Sequence, residues 1–305
     1  MYPVHFSLSR LFAIAALAVL AACSSREKIE EAPAAVAGYE ALVDGGYEIP
    51  AVEPQYLTEA HRKTEVDYPH ADAPGTIVVD VFARKLYWVK PDGRATRYAI
   101  AVGREGTSFR GKGYIGRKAH WPSWTPTANM IRRQPEMYAA FAGGLPGGLD
   151  NPLSSRALYL YRGGRDTMFR IHGSIDNRAI GLATSAGCIR MFNQDVIGLY
   201  DEVANGTKVK VRTLEESLAA EGPYMDDAWG RAVPETPENI AKKAKDQERI
   251  AAAERDAAEK KLKDEEAARK AAVKAEAKRQ RQCKRQGLNP EQCAAAEVVE
   301  VAKRS

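Results

Sequence analysis

The segment from Thr236 to Gln282 is built almost entirely of Ala, Glu, Lys and Arg, the strong helix formers. Large apolar residues such as Ile250, Leu262 and Val273 are scarce in it. No a/d heptad is sustained, so nothing specifies a coiled-coil partner. Such a stretch makes a helix and cannot make a core, which forces the folded domain of this 305-residue chain upstream. Thr236 is a good N-cap, with Pro237 at the first helical position. Asp256/Lys260, Glu259/Lys263, Glu265/Arg269 and Glu266/Lys270 are favourable i,i+4 pairs. The expectation is a single solvated helix over 236–282, roughly 65 Å long, followed by a tail over 283–305.

Charge separates the same two regions. The formal net charge is +5. From Pro237 to Ser305 there are 18 Lys/Arg and 13 Asp/Glu, so the whole excess lies there and the remainder, 27 of each sign, is neutral. Between Arg269 and Arg285 eight basic residues face only Glu276. That cluster is either a solvated helix end favoured by the helix dipole or a contact for an anionic envelope surface.

The first residues set the compartment. In "MYPVHFSLSRLFAIAALAVLAAC", Arg10 precedes a 12-residue apolar run, Leu11 to Ala22. That is short of the roughly 20 residues a bilayer span needs, and it reads as a signal peptide over 1–22. Leu20-Ala21-Ala22-Cys23 resembles the lipobox of bacterial lipoproteins, which implies lipid on the Cys23 thiol. The other reading is ordinary cleavage after Ala22. Ser24 stands where an inner-membrane retention Asp would sit, so the resemblance implies a periplasmic, lipid-anchored protein of the outer membrane, with the inner membrane as the alternative. Export also removes nucleic acid from the partners. Residues 23–73, rich in Ala, Glu, Pro and Gly, are expected to be a linker. In an oxidising compartment Cys283 and Cys293, around "KRQGLNPEQ", read as a small disulfide clip. Cys188 is left over.

From 74 to 213 the texture changes. "TIVVDVF", "KLYWV", "RYAIAV", "RALYLY", "MFRIHG" and "TKVKVR" are short β-branched and aromatic runs, with Pro91-Asp92-Gly93 as a turn, and they predict a mainly β domain. "NQDVIGLYDEV" predicts one helix, with Asn193 as N-cap, Val196, Leu199, Tyr200 and Val203 at helical spacing and Gly206 beyond its end. Residues 214–235 are expected to be a connector.

His172 and Cys188 lie sixteen positions apart in this domain. A thiol with a pKa of about 8.5 is only slightly ionised at neutral pH, and an imidazole within reach can take its proton. Gly187 would let backbone N–H groups point into the site as an oxyanion hole. Arg190, two positions on in a strand, would share a face with Cys188 and could grip a carboxylate. No CxxC, HxxxH or HxH spacing supports a metal site.

The fuller strings "NPLSSRALYLY", "FRIHGS" and "TSAGCIRMFNQDVIGLYDEVANGTKVKV" resemble the L,D-transpeptidase catalytic domain, also called YkuD. Its signature, HG and then S-x-G-C-[IV]-R-M, is met by His172-Gly173 and by Ser185-Ala186-Gly187-Cys188-Ile189-Arg190-Met191. The resemblance implies a β-sandwich-like domain with one or two helices, Cys188 as nucleophile and His172 as base. It implies a backbone carbonyl, here that of Gly173, orienting the histidine, with Ser185 and Arg190 near the donor stem. Arg190 bracing the loop is the alternative for that residue. The resemblance also implies a place for Trp121 and Trp124 in a segment beside the groove, with packing in an aromatic core as the competing role.

The implied function is acyl transfer on peptidoglycan stem peptides, needing neither metal nor organic cofactor. The acceptor is a diamino-acid amine of the wall or an amine of an envelope protein. The rivals are an L,D-carboxypeptidase, in which water is the acceptor, and a non-catalytic wall-binding lipoprotein.

Overall fold

The computed structural model describes residues 35–104, 109–185, 187–289 and 292. The expected signal peptide, Cys23, Ala186 and Cys293 lie outside the described residues.

The described chain enters through a hairpin, β1 (Leu42–Asp44) and β2 (Tyr47–Ile49). β3 (Thr64–Asp67), β4 (Thr76–Asp80), β5 (Lys85–Val89) and β6 (Arg94–Ala99) follow, then the short β7 (Val102–Gly103) and the long β8 (Lys112–His120). The connection out of β8 holds α1 (Ala128–Arg133) and α2 (Pro135–Tyr138). β9 (Arg156–Arg162), β10 (Arg165–Ser174), β11 (Ala183–Ser185) and β12 (Ile189–Phe192) lead into α3 (Asn193–Glu202) and β13 (Lys208–Val211). α4 (Leu214–Glu221), the hairpin β14 (Tyr224–Asp226) and β15 (Ala232–Pro234), and α5 (Pro237–Arg285) complete it.

Nine strands make one sheet in the order β12-β10-β9-β8-β13-β4-β5-β6-β3. It is mainly antiparallel, with parallel pairs at β10/β12 and β13/β4. The sheet curls back on itself so that β12, at one end, reaches the chain leaving β6 near the other. Ala101, just past β6, exchanges backbone hydrogen bonds of 2.8 and 2.9 Å with Arg190 of β12. One curled sheet thus supplies the facing layers of a sandwich-like core. Alternate residues fill it: Ile77 and Val79 of β4, Leu158 and Leu160 of β9, Ile171 of β10, Ile189 and Met191 of β12, capped by Val196 and Leu199 of α3. β4 is buried along its whole length. Its other face puts Val78 against Tyr68, Tyr87 and Val89. Each such side chain contributes roughly 1.5–3 kcal/mol on burial.

Three expectations are corrected. Residues 35–73 are not a free linker. Tyr39, Val52 and Leu57 pack with Ala99, Ile180 and Phe192, and β3 closes one edge of the large sheet on β6. These apolar residues are isolated in sequence and without period, because each one fills a surface that the domain already presents.

Residues 214–235, expected as a connector, hold a helix and a hairpin. Thr213 and Glu216 form a reciprocal capping box at the start of α4, with bonds of 2.9 and 3.2 Å. At the end of α4, the Glu221 carboxylate accepts from Lys85 Nζ at 2.7 Å and Arg212 Nη1 at 2.9 Å.

Asn193 begins α3 but does not cap it with its side chain, and Phe192 stands at the N-cap. The carboxamide is used elsewhere, as the site shows. The long helix is present as Pro237–Arg285, capped by the Thr236 hydroxyl accepting from Asn239 N at 3.2 Å. Cys283 is disulfide-bonded, and its expected partner Cys293 lies outside the described residues.

Candidate active site

β10 and β12 run side by side in parallel, with Ile171 opposite Ile189, His172 opposite Arg190 and Gly173 opposite Met191. Side chains alternate across a strand. Ile171, Ile189 and Met191 enter the core, so His172 and Arg190 share the other face. Cys188 stands one residue ahead of β12, and the strand's alternation carried one step back would put it on that same face. An offset of two residues across neighbouring strands separates the Cα atoms of Cys188 and His172 by about 8 Å.

The His172 ring is buried, and its Nδ1 lies 2.7 Å from the carbonyl oxygen of Gly173. A carbonyl only accepts, so Nδ1 carries the proton and Nε2 keeps its lone pair. Burial holds this imidazole neutral, with its pKa down at about 4; the Gly173 hydrogen bond opposes that, and the cations of Arg190 and Arg170 add to it. Burial pushes the Cys188 thiol up, against a hydrogen bond from the Arg170 backbone and the charges of Arg170 and Arg190. The resting pair is therefore a neutral thiol and a neutral imidazole. No hydrogen bond joins the two side chains among the described residues.

The support of this pair was not legible in the motif. Asn193 Oδ1 accepts from the Ser154 and Ser155 hydroxyls at 3.0 and 2.6 Å, and its Nδ2 donates to the Ser174 carbonyl at 3.1 Å. One buried carboxamide thereby ties together the start of β9, the end of β10 and the start of α3. It also explains Gly173, where a Cβ would collide with Asn193 Oδ1. The only signals in the sequence were the paired serines of "NPLSSR" and the Asn after "RMF".

Ser185 and Gly187 have local duties. Gly187 sits at φ 137°, a conformation that suits glycine, and its N–H donates to Ser185 Oγ at 3.1 Å. The Ser185 hydroxyl donates to the Cys188 carbonyl at 2.6 Å. Ser185 thereby braces the turn that carries Gly187 and Cys188.

Arg190 is different. Its Nη2 donates to Thr184 Oγ1 at 2.5 Å, its Nε is buried without a partner, and no acid pairs with it among the described residues. Arg170, by contrast, is neutralised by both oxygens of Asp166 at 2.7 and 2.9 Å. A guanidinium without an acidic partner, two positions from Cys188, has donors with which it could take a carboxylate.

Neither tryptophan belongs to the buried core. Trp121 Nε1 donates to Asp44 Oδ2 at 2.7 Å, and its ring lies against that of Tyr47, 4.3 Å between centroids and tilted by 39°. Asp44 also takes Arg156 through both oxygens, at 2.6 and 2.7 Å. Trp124 lies near Tyr138 and Phe141, at 6.3 and 6.4 Å between rings. A separate cleft of about 400 Å³ is lined by His70, Asp72, Lys210, Arg212 and Glu216, without His172 or Cys188. Its Lys210 is paired with Asp72 and Glu216, both at 2.9 Å.

The YkuD family, described as the L,D-transpeptidase catalytic domain, matches residues 74–211. The chain is 36% identical over 138 residues to "Probable L,D-transpeptidase ErfK/SrfK" of Escherichia coli (strain K12), covering 44% of this chain and 43% of that protein. It thus spans less than half the length of that curated relative. It is 34% identical over 146 residues to "Putative L,D-transpeptidase in ATP synthase subunits region ORF 5" of Fuscovulum blasticum, covering 47% of this chain and 72% of that protein. A crystal structure from Brucella melitensis, described as a probable carnitine operon oxidoreductase CaiA, is 45% identical and covers 52% of this chain and 98% of that one. Its TM-score of 0.36 makes no structural case.

Proposed function

The chain belongs to the L,D-transpeptidase family defined by the YkuD catalytic domain, and on that premise we propose that it is a peptidoglycan L,D-transpeptidase with Cys188 as nucleophile and His172 as general base. The observation that carries this is the Nδ1–Gly173 hydrogen bond, which leaves Nε2 as the free base on the face that Cys188 shares.

As the stem peptide enters, the thiol proton passes to His172 Nε2. The sulfur attacks the carbonyl of the third stem residue, a diamino acid. The bond to the terminal D-Ala breaks as the imidazolium returns its proton to the departing amine. A thioester remains. An acceptor amine then attacks the thioester carbonyl, gives its proton to His172, and the C–S bond breaks. Arg170 and Arg190 favour the thiolate once it forms, and the unpaired Arg190 holds a carboxylate of the stem. The acceptor is a wall diamino acid or an amine of an envelope protein; hydrolysis is the competing outcome. The apolar run from Leu11 to Ala22 and the lipobox-like Leu20-Ala21-Ala22-Cys23 support a periplasmic enzyme anchored by lipid to the outer membrane, with the inner membrane as the alternative.

The test is to incubate the protein with a tetrapeptide stem and follow its mass. Thioester formation adds the tripeptide acyl group to Cys188 and releases one D-Ala. An unmodified protein, or label on another residue, overturns the assignment. If Cys188 is labelled, the products identify the acceptor: a cross-linked stem or protein adduct, or a free tripeptide if water wins.

A further inference from the structure

The distal third of α5 does not use its charges as the rest of the helix does. From Pro237 to Ala268 the helix carries 8 Lys/Arg and 9 Asp/Glu, with i,i+4 pairs such as Lys242–Asp246 and Lys263–Glu259. Beyond Ala268 the acids stop, apart from Glu276.

At 3.6 residues per turn, Lys270, Lys274, Lys278, Arg281, Lys284 and Arg285 fall within an arc of about 120°. Ala277 is the remaining residue of that arc. All six cations are exposed. Lys270 is paired with Glu266 at 2.7 Å; the other five carry no ion pair among the described residues. Glu276 points the opposite way and is held by Arg279 at 2.8 Å. The disulfide-bonded Cys283 lies on the face of Glu276, away from the stripe.

A helix dipole favours cations only within the last turn. Lys270, Lys274 and Lys278 stand well before it, so capping does not account for them. No large apolar side chain lies within the arc, so the stripe has nothing to insert. The stripe is one-sided and roughly 22 Å long, and the long, flexible Lys and Arg side chains let all six cations reach one flat anionic surface.

We propose that this face is a docking surface for anionic phospholipid headgroups, a second membrane contact besides the lipid expected at Cys23. It is independent of the catalytic reading. The base of α5 is tied to the domain through Asn239 Nδ2, which donates to the Pro234 carbonyl at 2.8 Å, and through Lys242, 5.4 Å from the Trp229 ring centroid. Docking therefore holds the catalytic domain by the far end of a helix roughly 70 Å long.

The test is vesicle flotation with the mature chain from Ser24 on, carrying no lipid. Binding to phosphatidylglycerol-containing vesicles is expected, with none to pure phosphatidylcholine, and it should weaken as salt rises. The triple variant K274Q/K278Q/R281Q should lose affinity on the order of 100-fold, while D-Ala release in solution stays unchanged. The control A272E/A275E/Q282E makes the same net charge change outside the arc and should retain most of the binding. Absence of wild-type binding at low salt overturns the proposal, as does equal loss in the two variants. Capture by a soluble linear polyphosphate without any vesicle binding also overturns it.

Discussion

The curled sheet and helix α5 treat polar groups in opposite ways. In the sheet domain the polar groups that matter are few and buried, and each answers to named partners. Asn193 alone joins three elements, and His172 owes its tautomer to one carbonyl. In α5 nearly every polar group is exposed, so no single one decides much and only their periodicity carries meaning. Burial makes a polar group expensive unless it is satisfied, and solvent makes it cheap. The contrast predicts large effects from single atoms in the domain and small ones along the helix.

The sharpest test is Cys188→Ala. Stem turnover, measured as D-Ala release, should fall by on the order of 10³ or more, while thermal stability stays near that of the parent. Comparable turnover in the variant would remove the nucleophile and with it the contrast. His172→Gln should slow acylation by about 10²–10⁴. The wild-type kcat/KM profile should keep its acid limb near pH 4, where this imidazole protonates, and a limb at the free-imidazole value would contradict the buried geometry. Stability follows the same sign. The folded-state pKa lies below the unfolded value of 6.5, so the unfolded chain binds the proton first. Stability is full above that value and is lost as pH falls toward 4.

Asn193→Ala should cost about 2–4 kcal/mol in denaturant unfolding, because it strands buried hydroxyls and a carbonyl. A loss within the range of surface substitutions would make the three-way tie incidental. Asp195 sharpens the comparison from the alkaline side. Burial pushes its carboxyl up to about 7, against the charge of Lys63 and a hydrogen bond from Tyr39. An acid raised in the fold costs stability as pH rises from its unfolded value through the folded one. Asp195→Asn should therefore stabilise by on the order of 2 kcal/mol at pH 8, with the gain gone by about pH 4. A gain independent of pH would mean that the charge is not the cause. The smallest effect belongs to the helix. Lys263→Ala breaks its 2.5 Å pair with Glu259, yet should change stability by no more than about 0.5 kcal/mol. A larger loss would mean that α5 is not the solvated helix described.

The amino-acid sequence by itself determined the local structure and the chemistry. The runs around Ile77, Leu86, Leu158 and Val209 became strands because β-branched and aromatic side chains pack on a pleated surface. Thr236 and Pro237 started α5 because capping is decided within one turn. His172 and Cys188 were legible because few residue pairs do thiol chemistry. Tertiary structure alone decided what depends on remote partners. β8 was not anticipated, since Gly113, Gly116 and its charges interrupt the apolar pattern. Residues 35–73 read as linker because side chains such as Tyr39, Val52 and Leu57 meet their partners only across the fold. The carboxamide of Asn193 read as a cap because capping is the local use of that residue. It became the tie beneath the candidate site because β9, β10 and α3 converge where burial leaves its hydrogen bonds no water to turn to.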